Sequence, residues 1–350
     1  MASQPRVAGG IAGALVIVAA FAFASCGGRE ASGDEGDAAR PRVAVSIFPL
    51  YDVARRVAGD RLDVVLVLPP GRSEHGYDPT PREMARVANA RMALVVGLEM
   101  DEWAERIVRG ASDAEPEIVR LGPQLSPRHM SAHEVGLELE HQPHEREHDH
   151  DEGEHEHEEH EEHGEHGEHE APGHDEHHHH AGGLDPHFWL DPVRMQRAAA
   201  LMSDAFARLD PEGASGYRER AARVDREIGA AHAAVEERAR GWSHRTMVTF
   251  HGSFGYFADR YDLRIAAVLE PFPGREPTPR YMQEVLGAIR GSGAAALFSE
   301  PQLDPRPARV IAAQAGVPLF ELDPIGGTGA STSYEALLRA NADVLDRALR

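Results

Sequence analysis

The chain has 350 residues, with 36 basic against 58 acidic side chains and a formal net charge of −22. So acidic a balance argues against a nucleic-acid partner, because phosphates need a basic surface. A single cysteine, Cys26, excludes any disulfide within the chain.

Residues 1–25 read as a lipoprotein signal peptide. Arg6 is the only basic residue ahead of an apolar run from Ile11 to Ala24. Phe23-Ala24-Ser25-Cys26 is similar to a bacterial lipobox, with small residues just before the cysteine. Cys26 is then the lipidation site. The plainer alternative is a free thiol beside an uncleaved membrane helix. Residues 26–40, rich in Gly, Ala, Ser, Asp and Glu, make a flexible tether.

From Pro41 the pattern is α/β. Val43–Ile47, Asp63–Leu68, Met92–Val96 and Ile118–Leu121 read as strands, and Leu50–Ala58 reads as a helix. Pro69-Pro70-Gly71 ends the second strand and a loop carrying Glu74 and His75 follows. Thr80 is an N-cap, with Pro81 at the first helical position and Glu83 in the first turn. Strands alternating with helices predict parallel βαβ units in an N-terminal lobe over residues 41–210.

An insertion over about 133–184 interrupts this lobe. Between His141 and His180 it holds 15 of the chain's 22 histidines and 16 acidic residues against one base, Arg146. Nothing there can bury apolar surface, so the segment is expected to be disordered without metal. Its histidines are His141, His144, His148, His150, His155, His157, His160, His163, His166, His169, His174, His177, His178, His179 and His180. Near neutral pH most imidazoles are unprotonated, which suits a borderline-soft divalent ion. An acidic solvated loop, or a natural histidine tag of no consequence, is the bland reading; the histidine content favours a metal sponge, an auxiliary collector of the ion.

Pro192–Leu209 reads as a helix. A second helix over 211–240 places Ala221, Val224, Ile228, Ala231 and Val235 at helical spacing. It would be about 40 Å long and would join two lobes as a rigid strut, or else pack within one. The C-terminal lobe, 241–350, repeats the α/β pattern. Its strands are Thr246–Phe250, Ile265–Leu269, Ala294–Ser299 and Pro318–Leu322. Its helices lie near Gly255–Arg260, Pro279–Arg290, Pro305–Ala315 and Tyr334–Leu349. The fold class is thus α/β, two lobes of parallel βαβ units, with a metal site in the cleft between them.

Four stretches carry candidate ligands. His75 lies in a polar loop. His187 stands between Pro186 and two aromatics. His251 ends a strand ahead of Gly252, and Asp323 ends another ahead of Pro324. A packed or surface histidine is the ordinary reading for any one ring, and a turn aspartate for Asp323. Together, three imidazoles and one carboxylate are what tetrahedral Zn²⁺ needs. His251, Glu300 and Asp323 also fall at carboxyl ends of strands, where open parallel sheets bind their ligands.

The motifs Gly71-Arg72-Ser73-Glu74-His75, Val95-Val96-Gly97-Leu98-Glu99-Met100, Asp185-Pro186-His187-Phe188-Trp189-Leu190-Asp191-Pro192, Phe250-His251, Ser299-Glu300-Pro301-Gln302 and Leu322-Asp323-Pro324 carry a resemblance. From about Val43 onward the chain resembles the cluster A-I (family 9) solute-binding proteins of bacterial zinc and manganese ABC importers, most of all the zinc branch, ZnuA-type. The resemblance implies His75, His187 and His251 as metal ligands with Asp323 as the fourth, a water or a glutamate being the alternative there; Glu74 and Glu300 are auxiliary candidates. It implies Zn²⁺ as the bound ion and a zinc ABC importer permease as the partner. A monomer is expected, lipid-anchored in the periplasm or on the outer face of the cytoplasmic membrane. Manganese members carry a carboxylate where His251 stands, and hard oxygen suits Mn²⁺. Some zinc members also carry a disulfide in the C-terminal lobe, which this chain cannot form.

The expected function is capture of Zn²⁺ and delivery to an importer, not catalysis. A manganese-binding member of the same family is the alternative. A zinc hydrolase would keep an open coordination position beside a base such as Glu74 or Glu300. A passive zinc buffer would need only the His-rich segment and would leave the four-residue set unexplained.

Overall fold

The computed structural model describes residues 40–135, 183–272, 274 and 277–350. The signal peptide, the tether, Cys26 and the histidines from His141 to His180 lie outside the described residues. Among the described residues, no helix is long and apolar enough to cross a membrane.

Two four-stranded sheets, both wholly parallel, form the two lobes. The first has the order β2-β1-β3-β4, built from β1 (Arg42–Val45), β2 (Asp63–Leu66), β3 (Met92–Val95) and β4 (Glu117–Arg120). Val43 faces Val64 on one side and Met92 on the other. The second has the order β6-β5-β7-β8, from β5 (Thr246–Thr249), β6 (Arg264–Val268), β7 (Leu297–Ser299) and β8 (Leu319–Glu321). Central β3 is buried along its whole length, and β1 and β5 are buried apart from their first residues. Strands covered on both faces need continuous apolar runs such as Val43-Ala44-Val45 and Met92-Ala93-Leu94-Val95.

The helices are α1 (Phe48–Ala58), α2 (Pro81–Val87), α3 (Glu102–Gly110), α4 (Pro192–Leu209), α5 (Ala214–Ala239), α6 (Gly255–Tyr261), α7 (Pro279–Ser292), α8 (Arg306–Ala315) and α9 (Tyr334–Leu349). The capping expected for α2 is present: Thr80 accepts from the Glu83 amide while the Glu83 side chain accepts from the Thr80 amide. The strut helix starts later than expected. Pro211–Gly213 forms a 3₁₀ turn, and the α-helix proper runs from Ala214 to Ala239, about 39 Å for 26 residues.

This helix serves both lobes. Its buried face, Tyr217, Ala221, Val224, Ile228, Ala231, Val235 and Ala239, packs on α1, α4 and α9. Near its start Arg220 donates to the carbonyls of Val57 and Ala58 at 2.7 and 3.0 Å, closing the carboxyl end of α1. Near its finish Arg238 pairs with Asp346 of α9 at 2.8 Å. The lobes also meet directly. Buried Asp52 of α1 accepts from the Tyr334 amide at 3.0 Å, and Arg56 reaches Glu335 at 2.9 Å. One apolar core runs from β1 and β3 through α5 to Tyr334, Leu338 and Leu345 of α9, and a smaller one lies between β5, α7 and α8.

Candidate metal centre

Each site residue leaves the carboxyl end of a sheet or enters the helix behind it. After β2 the chain turns at Gly71, whose φ of 79° suits glycine, and then presents Glu74 and His75. His187 opens a 3₁₀ turn, Phe188–Leu190, that leads into α4, where Asp191 caps the helix through the Val193 amide. His251 follows β5. Glu300 follows β7, its parallel neighbour in the sheet, so both stand at the carboxyl ends of the two central strands, where the strand order reverses, the usual ligand crevice of such sheets.

The structure brings His75, His187 and His251 together with Glu74. One ligand atom from each lies within 4.8 Å of all the others. The Nε2 atoms of His75 and His251 are 2.9 Å apart, and those of His251 and His187 are 3.3 Å apart. Zn–N bonds of about 2.0–2.1 Å at tetrahedral angles separate ligand nitrogens by about 3.3 Å. Two of the outer ring nitrogens are anchored by carboxylates. Nδ1 of His187 lies 2.8 Å from Asp185 Oδ1, and Nδ1 of His251 lies 2.8 Å from Glu300 Oε1. Carboxylates accept, so each Nδ1 donates, which leaves Nε2 as the ring atom that can offer a lone pair to an ion. Ser253 Oγ also donates to Glu300 Oε1 at 2.8 Å. Lone pairs converging at this range need a cation or a shared proton between them.

Glu74 completes the group. It is buried, its Oε1 has no hydrogen-bond partner among the described residues, and that atom lies 3.8 Å from His75 Nε2. Trp103 Nε1 donates to the Glu74 carbonyl at 3.0 Å and holds the backbone. A buried orphaned carboxylate oxygen is costly unless a cation meets it, so the donor set fits a divalent ion.

Asp323 is not brought into the group. Its Oδ1 accepts from Gln302 Nε2 at 2.8 Å and from the Ile325 and Gly326 amides at 3.0 and 2.9 Å. The Pro324–Gly327 turn needs an acceptor for those amides, and Asp323 supplies it. Glu74, expected only as auxiliary, is the carboxylate that stands beside the three rings. Glu300, the other auxiliary candidate, holds His251 from behind. Sequence reasoning assigned Asp185 no role, although its place two residues before His187 in a Pro-bounded turn was the available signal.

The charges are coupled. Burial pushes the His251 ring down, but the Glu300 carboxylate, by its charge and its hydrogen bond, outweighs this and lifts it from 6.5 to about 8. Burial pushes Glu74 up, although the His251 charge opposes it. His251 therefore binds its proton more tightly in the folded metal-free chain than when unfolded. That stabilisation, about 2 kcal/mol, is complete below pH 6.5 and is lost as pH rises through about 8. A divalent ion bound through Nε2 must displace this proton. Calorimetry of Zn²⁺ binding near pH 7, in buffers of different ionisation heat, should show release of about one proton or more, falling well above pH 8. No buffer dependence near pH 7 would show that His251 gives up no proton.

Residues 43–348 match the profile of the family described as ZnuA, zinc-uptake complex component A, periplasmic. The chain belongs to this family. It is a family of periplasmic solute-binding transport proteins for zinc and manganese, and ZnuA-type proteins work with an ABC importer. The high-affinity zinc uptake system protein ZnuA of Brucella abortus is 28% identical over 314 residues, spanning 89% of this chain and 90% of its own length. The manganese-binding lipoprotein MntA of Halalkalibacterium halodurans is 23% identical over 346 residues, spanning 94% and 95%. A crystal structure of ZnuA superposes with a TM-score of 0.68 at 21% identity, over 89% of this chain and 100% of that one. At that identity the likeness is one of fold.

Proposed function

We propose that this protein binds one Zn²⁺ in the cleft through His75, His187, His251 and Glu74 and delivers it to the permease of a zinc ABC importer. The observation that carries this reading is the convergence of three Nε2 atoms, two of them on rings whose Nδ1 is held by a carboxylate, beside a buried carboxylate oxygen with no hydrogen-bond partner among the described residues. A donor set of three imidazoles favours zinc over manganese, which prefers oxygen. The zinc relatives named above support the choice. The protein acts as a lipid-anchored monomer through Cys26, outside the cytoplasmic membrane. Its His-rich segment collects zinc at weak sites.

Metal content and chelator competition on the chain without its signal peptide test this. One tight Zn²⁺ is expected, with Mn²⁺ bound far more weakly, and several weaker Zn²⁺ besides. Deleting residues 141–180 should remove the weak sites and leave the tight one unchanged. Loss of the tight site on that deletion, or a preference for Mn²⁺, would overturn the assignment.

A further inference from the structure

His187 is held by Asp185, and Asp185 is itself held. Its carboxylate is fully buried. Oδ1 accepts from the His187 amide at 2.9 Å and from Nδ1 at 2.8 Å. Oδ2 accepts from Arg128 Nη1 at 2.8 Å. The same guanidinium meets Glu134 through Nη1 at 2.7 Å and Nη2 at 3.0 Å, and Asp259 of α6 through Nε at 2.9 Å. Arg128 thus sits among three carboxylates, two of them buried, and it supplies the positive charge that faces Asp185.

The seat is tight and joins distant parts of the chain. The Arg128 amide donates to Tyr256 Oη at 3.0 Å, and that hydroxyl donates to the Asp185 carbonyl at 2.9 Å. The Asp185 amide donates back to the Arg128 carbonyl at 2.8 Å. A Cβ on Gly252, the residue after His251, would lie 2.6 Å from Met130 Cε. A Cβ on Gly255 would run into the Arg128 guanidinium. The segment from Arg128 to Val135, which leads into the His-rich insertion, is therefore packed against the residues that flank His187 and His251.

We infer that Arg128 is a positioning residue for His187: it neutralises and orients Asp185, which then keeps the His187 ring in the Nδ1–H form with Nε2 turned to the metal. This rests on the proposed zinc site. A buried carboxylate without its counter-charge is a poor anchor, and partners behind a ligating histidine typically affect metal affinity by about 10–100-fold. Through Glu134 and Asp259 the same guanidinium ties the root of the insertion and the C-terminal lobe to that ring.

The experiment uses the chain without its signal peptide and the variants Arg128→Gln, Arg128→Lys, Asp185→Asn and Arg128→Gln with Asp185→Asn. Arg128→Gln should weaken Zn²⁺ binding by about 10–100-fold in chelator competition. In the metal-free protein, ¹⁵N NMR should show His187 losing its single Nδ1–H form. Arg128→Lys should recover part of both. The double variant should bind Zn²⁺ no worse than Asp185→Asn alone, because Arg128 acts through Asp185. Additive losses would overturn the proposal. So would a lowered melting temperature in Arg128→Gln with affinity and tautomer unchanged. The double variant leaves no unpaired carboxylate at residue 185, so it keeps the question open to measurement if Arg128→Gln folds poorly. If His187→Ala itself leaves affinity unchanged, the zinc site has failed, not the coupling to Arg128.

Discussion

Replacing His75 by alanine should weaken Zn²⁺ binding by about 100-fold or more while the metal-free protein keeps its melting temperature. Zinc sites of this kind are worth roughly 12 kcal/mol over four donors, so each donor carries about 3 kcal/mol, or about two decades of affinity. His75 offers the cleanest test of that share. Its side chain is 22% exposed, and it comes from a loop, so little packing is lost with the ring. Its Nε2 also lies 2.9 Å from that of His251, so its removal relieves crowding in the metal-free state. Chelator competition measures the first effect and scanning calorimetry the second. A loss of affinity below about fivefold would mean that His75 is not a ligand, since one donor in four carries far more than that.

Trp189→Ala should have the largest effect on stability, about 3–5 kcal/mol. Trp189 is fully buried in the main core, and its ring lies 5.2 Å from that of His187. It also pins the lobes together: Nε1 donates to the Pro324 carbonyl at 2.7 Å, and the Trp189 carbonyl accepts from Tyr334 Oη at 2.7 Å. Removing the indole leaves a large cavity and an orphaned buried carbonyl. For a chain of this size the melting temperature should fall by roughly 10 °C. Zinc affinity should fall as well, since His187 loses the surface it leans on. Trp189→Phe should recover much of the packing but not the bond to Pro324. A drop of only a degree or two in the alanine variant would show that the lobes are not held together at this point.

The strands and most helices were legible because capping and burial agree along the chain. The helices Pro192–Leu209 and Tyr334–Leu349 lie where the sequence pattern puts them, since Asp191 and Ser333 supply side-chain caps where the apolar period starts. Helix α3 was not singled out, although Trp103, Ala104, Ile107 and Val108 carry the helical spacing. Strand β7 begins at Leu297 instead of Ala294, because Ala294–Ala296 fill a buried connector that apolarity alone cannot tell from a strand. The three histidines that meet in the cleft could be read from their places at loops and strand ends. The fourth corner could not. Asp323 and Glu74 both sit beside suitable turns, and the choice depends on which carboxylate the surrounding amides claim. Asp323 is claimed by the turn that follows it, whereas Glu74 is left facing the rings. Arg128 was invisible, because its partners Glu134, Asp185 and Asp259 come together only in the folded chain.

The main apolar core does not stop at the boundary between the sheets. It runs from β1 through α5 into α9, and Phe254, Phe257 and Phe298 of the second lobe belong to it as well. The two sheets, alike in strand order, are for that reason not exchangeable modules. A recombination that swapped one lobe for a relative's would have to match a stripe of alanine, valine and isoleucine along a 26-residue helix, or leave it facing water.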